Sequence, residues 1–274
     1  TIMIAPFMSC SARLPVYVLM IAAFFGGQTV FGFVSLGAVI MLGMFLLGIV
    51  VAIVVAFILK RTILKAPTPP FMMELPPYRM PSFRTVLSNV LERAGLFVRR
   101  AGTVILAISI ILWALAYFPR GGTAEPGTET VASSQLENSF AGRLGHAIEP
   151  VIEPLGYDWK IGVALIASFA AREVLVSTLS ILYNVGGDAE EADGLASALR
   201  DAKRPDGSPV WTPLTAVSLM VFFVLAMQCM STVAIVRRET NSWRWPLFMV
   251  AYMTILGYLG AFVTYQGGRL LGFS

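Results

Sequence analysis

The sequence predicts an all-α fold: a polytopic helical membrane protein of about five or six transmembrane helices, with broken or re-entrant segments and one amphipathic interfacial helix. Three observations carry that expectation. Hydrophobic residues fill 57% of the 274 positions and charged residues only 13%, with a mean hydropathy of +0.75; soluble domains run at about 45–50% and about 25%. Apolar runs long enough to cross a bilayer core recur along the chain. Prolines and charges interrupt some of those runs, and lipid tolerates irregular backbone only where it lines a cavity or is covered by protein. Runs of this length argue against a soluble domain with a large core.

Six segments qualify or nearly do: roughly 2–30, 34–59, 101–118, 161–183, 214–236 and 246–266. The first is interrupted by PFMSCSARLPVY, where Pro6 and Pro15 bracket Cys10 and Arg13. The second, VSLGAVIMLGMFLLGIVVAIVVAFIL, is free of charge. Its Gly48, Ala52 and Ala56 recur every four residues, a spacing that lets a neighbouring helix approach closely, and the sixth repeats the device with Gly257 and Ala261. After the second comes KRTILKAPTPPFMMELPPYRMP, too rich in proline to be one helix. In SFRTVLSNVLERAGLFVRR, Phe83, Val86, Leu87, Val90, Leu91 and Phe97 share a helical face while Arg84, Arg93, Arg99 and Arg100 lie largely off it. That pattern fits a basic amphipathic helix on the membrane surface, with a solvated connector as the alternative. Residues 119–160 and 184–213 read as polar loops bearing Gly and Pro, the second with one short helix.

Eight Lys/Arg lie between Lys60 and Arg100 against two acids, Glu74 and Glu92. The segments 119–160 and 184–213 each carry six acids against three bases. The basic block is expected in the cytoplasm and 119–160 outside it. If segment four spans, basic residues divide 12 inside to 6 outside; if it is re-entrant, 11 to 7. The spanning arrangement is slightly favoured and would leave the C-terminus cytoplasmic. The basic block carries no nucleic-acid reader motif, and neither GxxxxGK[ST] nor GxGxxG occurs, so no nucleotide site is readable. The opening Thr-Ile-Met-Ile reads as a piece of something longer, and not as a signal peptide.

The chemistry is sparse. Cys10 and Cys229 are the chain's two cysteines, and each follows a methionine by two positions. Met8-Ser9-Cys10 has Ser11 beside it, and Met227-Gln228-Cys229 has Ser231 and Thr232. Thioether, thiolate and oxygen donors together suit a first-row divalent metal; a buried cysteine is equally well a small hydrophobe. Pro15 cannot bond back to Ser11, so carbonyls near Cys10 are freed to line a cavity or hold an ion. Arg13 is read as a counter-charge or as snorkelling to the interface. Arg172 and Glu173 fall in the middle of segment four, where charge is costly. Adjacent positions diverge on a helix, so each is expected to find its partner on another element. Glu173, the one carboxylate in the six spans, reads as a cation ligand or proton relay, or as half of a structural ion pair. The single histidine, His146, reads as a surface residue, and its isolation argues against a serine hydrolase.

PFMSCSARLPVY, FAAREVLVSTLSILY and MQCMSTVAIVRRETNSWRW resemble matching stretches of the ferrous iron transport protein B (FeoB) family of bacteria. The likeness covers most of the chain in order and is weakest in the loops 119–160 and 184–213. The resemblance implies residues 1–60 as a C-terminal-type membrane region, 61–94 as a cytoplasmic Pro-rich linker with the amphipathic helix, 95–240 as the second gate, and 241–274 as a final helix and tail. It implies a multi-pass protein of the bacterial inner membrane that takes up Fe(II) as substrate. GTP and Mg would belong to an N-terminal G domain outside this chain, as would a first gate, so no enzymatic activity is expected of the chain itself. The partners implied are membrane lipid, those missing domains, small cytoplasmic Feo accessory proteins and further copies of the chain, with no nucleic acid. Metal-site residues carried by the motifs are Cys10, Ser9, Ser11, Cys229, Met227, Gln228 and Glu173. Pro6, Arg13, Pro15, Arg172, Ser231 and Thr232 are structural or gating. The gate segments also resemble nucleoside-transport and spore-maturation proteins, so a solute permease is the rival reading, and an assembly scaffold a third.

Overall fold

The structure is a computed structural model that describes residues 3–7, 10–30, 34–62, 80, 82–117, 139–169, 172, 174–183, 192–204, 207–227 and 229–272. Two tight 3₁₀ turns, Ala5–Phe7 and Ser11–Arg13, flank an extended Cys10 and lead into α1 (Leu14–Phe25). The irregularity expected of the opening motif is therefore present. Pro15 sits in the first turn of α1, where a missing N–H costs nothing. A two-residue antiparallel pair, β1 (Thr29–Val30) with β2 (Val34–Ser35), turns the chain into α2 (Leu36–Thr62).

Among the described residues, α2 and α10 (Arg244–Leu270) are long and apolar enough to cross a membrane. At 27 residues each they extend about 40 Å. Leu42, Leu46, Ile49, Val50, Ile53 and Phe57 of α2 point outward, more than half exposed. A helix with that surface is solvated by hydrocarbon. Lys60 and Arg61 close α2, where cations complement the helix C-terminus. Gly48 lets α2 approach closely: a Cβ there would lie 3.4 Å from the Phe7 carbonyl oxygen and 3.5 Å from Val224.

The surface helix expected ahead of the third span is not a separate element. It forms the first turns of α3 (Phe83–Tyr117), a single helix of 35 residues. Gly95 and Gly102 are its only weak points, and isolated glycines do not end a helix. In the stretch read as a polar loop, α4 (Phe140–Ile152) is an additional helix. Its N-cap Ser139 accepts from the Gly142 N–H, and Ile152 is buried.

Segments four and five are broken. Segment four divides into α5 (Trp159–Ser168) and α6 (Val174–Leu182), ten and nine residues long. The Lys160 ammonium lies 4.9 Å from the centroid of the Tyr183 ring, so the segment's two ends meet. A continuous helix would hold them about 34 Å apart. Segment four is thus a hairpin that doubles back on itself, the geometry of the re-entrant arrangement left open beside the slightly favoured crossing one. Each arm reaches about 15 Å, half a bilayer core. The short helix expected in the following loop is α7 (Ala192–Asp201).

Segment five divides into α8 (Pro213–Leu225) and α9 (Met230–Thr240). Thr212 caps α8 and Pro213 occupies its first position. Almost every residue of α8 is buried, as expected of a helix apolar all round. It runs antiparallel to the C-terminal half of α10, whose Met249, Met253, Gly257 and Ala261 form a buried stripe at four-residue spacing. A Cβ on Gly257 would come within 2.7 Å of the Ala226 Cβ and 2.9 Å of its backbone nitrogen, so only glycine fits. The close-approach role expected of Gly257 and Ala261 is realised here: Ser218 Oγ donates to the Ala261 carbonyl at 3.1 Å.

One end of the bundle collects the polar connections. Arg204 donates to the Gly156 carbonyl, Gln266 to that of Pro154, and the Trp211 indole to Tyr183, while Phe24 stacks on Trp211. The opposite end carries Lys60, Arg61, Arg237, Arg238 and Arg244, by the directions of α2, α9 and α10.

Candidate functional site

Three interruptions meet inside this bundle: the turns before α1, the hairpin tip between α5 and α6, and the break between α8 and α9. The first and the third leave main-chain carbonyls that no helix satisfies. Two arginines cap them. Arg13, only 2% exposed, donates from Nη2 to the Pro6 carbonyl at 2.8 Å and from Nη1 to that of Phe7 at 3.3 Å. It is internal and does not snorkel, because those two carbonyls lie within reach of its own fork. Arg172, 4% exposed, donates from Nη1 to the Phe223 carbonyl at 3.0 Å and from Nη2 to the Ala226 carbonyl at 3.1 Å. The expectation that Arg172 finds its partner on another element holds: the partner is the C-terminal end of α8, the negative pole of that helix.

Both cysteines stand beside this pair. Arg172 is within electrostatic reach of Arg13, Cys10, Cys229 and Tyr17, and Tyr17 in turn of Arg13, Arg172 and Cys10. Cys10 is exposed and Cys229 partly buried, and both are free thiols. Cys229 is the N-cap of α9, extended at φ −145° and ψ 109°, and its carbonyl accepts from Thr232 N–H at 3.1 Å. The C-terminal carbonyls of α8 and the N-terminus of α9 therefore face the same break, the arrangement by which discontinuous helices hold ions.

Of the remaining residues expected at a site, Ser11, itself exposed, opens the turn that carries Arg13, and Pro6 supplies one capped carbonyl. Met227 is buried at 1% exposure in the break, and Thr232 lies half-buried in the first turn of α9. Ser9, Glu173 and Gln228 lie outside the described residues, as does the side chain of Ser231. Among the described residues no three His, Cys, Asp or Glu form a metal-holding group. His146 is at the surface, its ring nitrogen 2.9 Å from Glu149. Sequence reasoning missed Tyr17 and the carbonyls of Phe223 and Ala226; AMQC contains no helix breaker that could have signalled the latter.

Long lipid-facing helices around broken helices and a re-entrant hairpin define a helical membrane protein. A family model described as "Ferrous iron transport protein B C terminus" matches residues 41–93, and one described as "Nucleoside recognition", the gate, matches 98–243. The chain belongs to the ferrous iron transport protein B family. It is similar to the Fe(2+) transporter FeoB of Leptospira biflexa, 45% identical over 273 residues that cover 100% of this chain and 39% of that protein. The Fe(2+) transporter FeoB of Staphylococcus aureus is 38% identical over 98% of this chain and 36% of its own length. A Fe(2+) transport protein A/Fe(2+) transporter FeoB fusion protein of Porphyromonas gingivalis is 35% identical over 98% of this chain and 34% of its own. The chain thus spans 34% to 39% of the length of these relatives. No solved structure matches it.

Proposed function

We propose that this chain is part of the permease of an Fe(II) uptake transporter, and that the cation crosses where the three broken segments meet. The observation that supports this reading most is the convergence of Cys10, Cys229 and four helix-terminal carbonyls around Arg13 and Arg172. Thiols and carbonyls are the donors available at membrane depth that suit a borderline-soft divalent ion. Ser9, Ser11, Met227, Gln228 and Glu173 are the further donors we assign to the path. On this reading 1–60, 61–94, 95–240 and 241–274 are successive units of the membrane region. The positive-inside rule sets the end bearing Lys60 and Arg61 in the cytoplasm. The multi-pass protein lies in the inner membrane, and a GTP- and Mg-binding domain with a first gate completes it. The chain itself has no enzymatic step. The fusion relative favours a small Feo accessory protein as a partner, and further copies of the chain could complete the pathway.

The test is radio-iron uptake by cells producing the full-length protein. Serine replaces a soft donor with a hard one of nearly the same size. Cys10→Ser and Cys229→Ser should each lose most Fe(II) uptake at normal membrane levels. Unmodified uptake in both single variants and in the double variant would leave the thiols as packing. Nucleoside binding would favour the solute-permease reading instead.

A further inference from the structure

Arg172 does more in this geometry than neutralise a buried dipole. Its two Nη atoms sit on the carbonyls of Phe223 and Ala226, 3.0 and 3.1 Å away. Those oxygens are among the last of α8, unsatisfied by the helix and at its negative pole. They are the oxygens a cation entering the break would use. The arginine belongs to a different element, the re-entrant hairpin of α5 and α6. Nothing in the sequence of α8 forces it to stop at Leu225, since neither Gly nor Pro follows before Met230.

We propose that the Arg172 guanidinium is a tethered cation that competes with the transported ion for the carbonyls of Phe223 and Ala226, so that the hairpin latches the break shut until the ion displaces it. This rests on the reading of the break as a cation path. Simultaneous occupancy is opposed by charge: both cations would contact the same two oxygens a few Å apart in a medium that screens little. Arg13, holding the Pro6 and Phe7 carbonyls beside Cys10, adds a second positive charge to the same barrier. Displacement of Arg172 leaves two carbonyls and the neighbouring Cys229 thiol facing the ion.

The experiment uses membranes containing the full-length protein and Fe(II) in anoxic buffer. Alkylation of Cys229 by N-ethylmaleimide is followed by mass spectrometry of its peptide. The quantity read is the Fe(II) concentration that halves the alkylation rate, each protein being referred to its own rate without metal. Arg172→Gln removes the competitor, so that concentration should fall at least about fivefold, the lower bound of an ordinary coupling between sites. Arg172→Lys keeps the charge but replaces a planar fork by a point donor, and should lie between. An arginine that only braces the fold would change the metal-free rate and leave the half-protecting concentration where it was. Equal concentrations in all three proteins overturn the latch. If Arg172→Gln fails to accumulate, Arg172→Lys decides alone, and a value equal to the unmodified protein overturns the latch. If Fe(II) protects Cys229 in none of them, the cation path falls and the latch with it.

Discussion

Asp158 caps α5 from a site only 9% exposed, its Oδ1 accepting from the Ile161 N–H at 2.9 Å. Burial pushes its carboxyl above the usual carboxylate range, opposed by that hydrogen bond and by Lys160 and Arg204. The shift is upward, so the folded state holds the proton more tightly than the unfolded chain does. The group's stabilising contribution is greatest below the unfolded value of about 3.9 and is lost as pH rises through the folded value. Asp158→Asn keeps a good cap and removes the charge, so at neutral pH it should be neutral or stabilising, with a flatter pH dependence. Asp158→Ala loses the cap and should cost about 1 kcal/mol. Thermal unfolding in detergent at pH 5 and pH 8 checks both, and an Asn variant less stable than the Ala variant would contradict the account. The arginines follow the opposite logic. Charged at membrane depth, Arg13 and Arg172 persist there because each fork matches two carbonyls that would otherwise be bare.

At the scale of elements, the contact of α8 with α10 depends on small residues. A Cβ on Gly257 meets both Ala226 Cβ and its backbone nitrogen, which cannot withdraw as a flexible side chain can. Gly257→Val should therefore destabilise by about 1–3 kcal/mol through overpacking, and should disturb the break that Arg172 caps. Gly43 in α2 is the control: a Cβ there meets nothing within 4 Å. Gly43→Ala should be neutral or slightly stabilising, since alanine favours the helix. Chemical denaturation in mixed micelles separates the two, and a Gly257→Val protein of unmodified stability would show that α10 can shift away from α8. The same close packing explains why α8, so uniformly apolar, has only one place to go, the centre of the bundle.

The whole molecule is polarised. One end gathers the connections around Gly156, Tyr183, Arg204 and Gln266, and the other holds the basic residues at the ends of α2, α9 and α10. Because segment four returns to the end it left, segment five starts from the end around Gly156 and Tyr183, and α10 finishes there. The C-terminus is then expected outside the cytoplasm, contrary to the arrangement that charge counting slightly favoured. In a background lacking Cys10 and Cys229, Asp201→Cys and Gly272→Cys should react with an impermeant maleimide from outside intact cells. Met80→Cys should react only after permeabilisation. Reaction of Gly272→Cys only from inside would restore a crossing segment four.

The sequence by itself determined that the protein is helical and lipid-facing, that α2 and α10 are long apolar helices, and that the chain breaks around Cys10. Composition and proline act locally, and a local signal is legible in a single chain. The three family motifs also marked Cys10, Arg13, Arg172 and Cys229, which the structure brings together from three separate segments. Only the tertiary structure decided that one helix ends at Ser168 before the next starts at Val174, and another at Leu225 before Met230, at the sequences FAARE and AMQC. Neither holds Gly or Pro, and both are sound helical sequence by propensity. The break before Cys229 is stabilised by a guanidinium 51 residues away in the chain from the first carbonyl it caps. Whether segment four crosses or returns was likewise beyond charge counting, which separated 12 from 11 basic residues. The meeting of Lys160 with Tyr183 shows only in the fold that the segment doubles back, because that contact joins residues far apart in sequence.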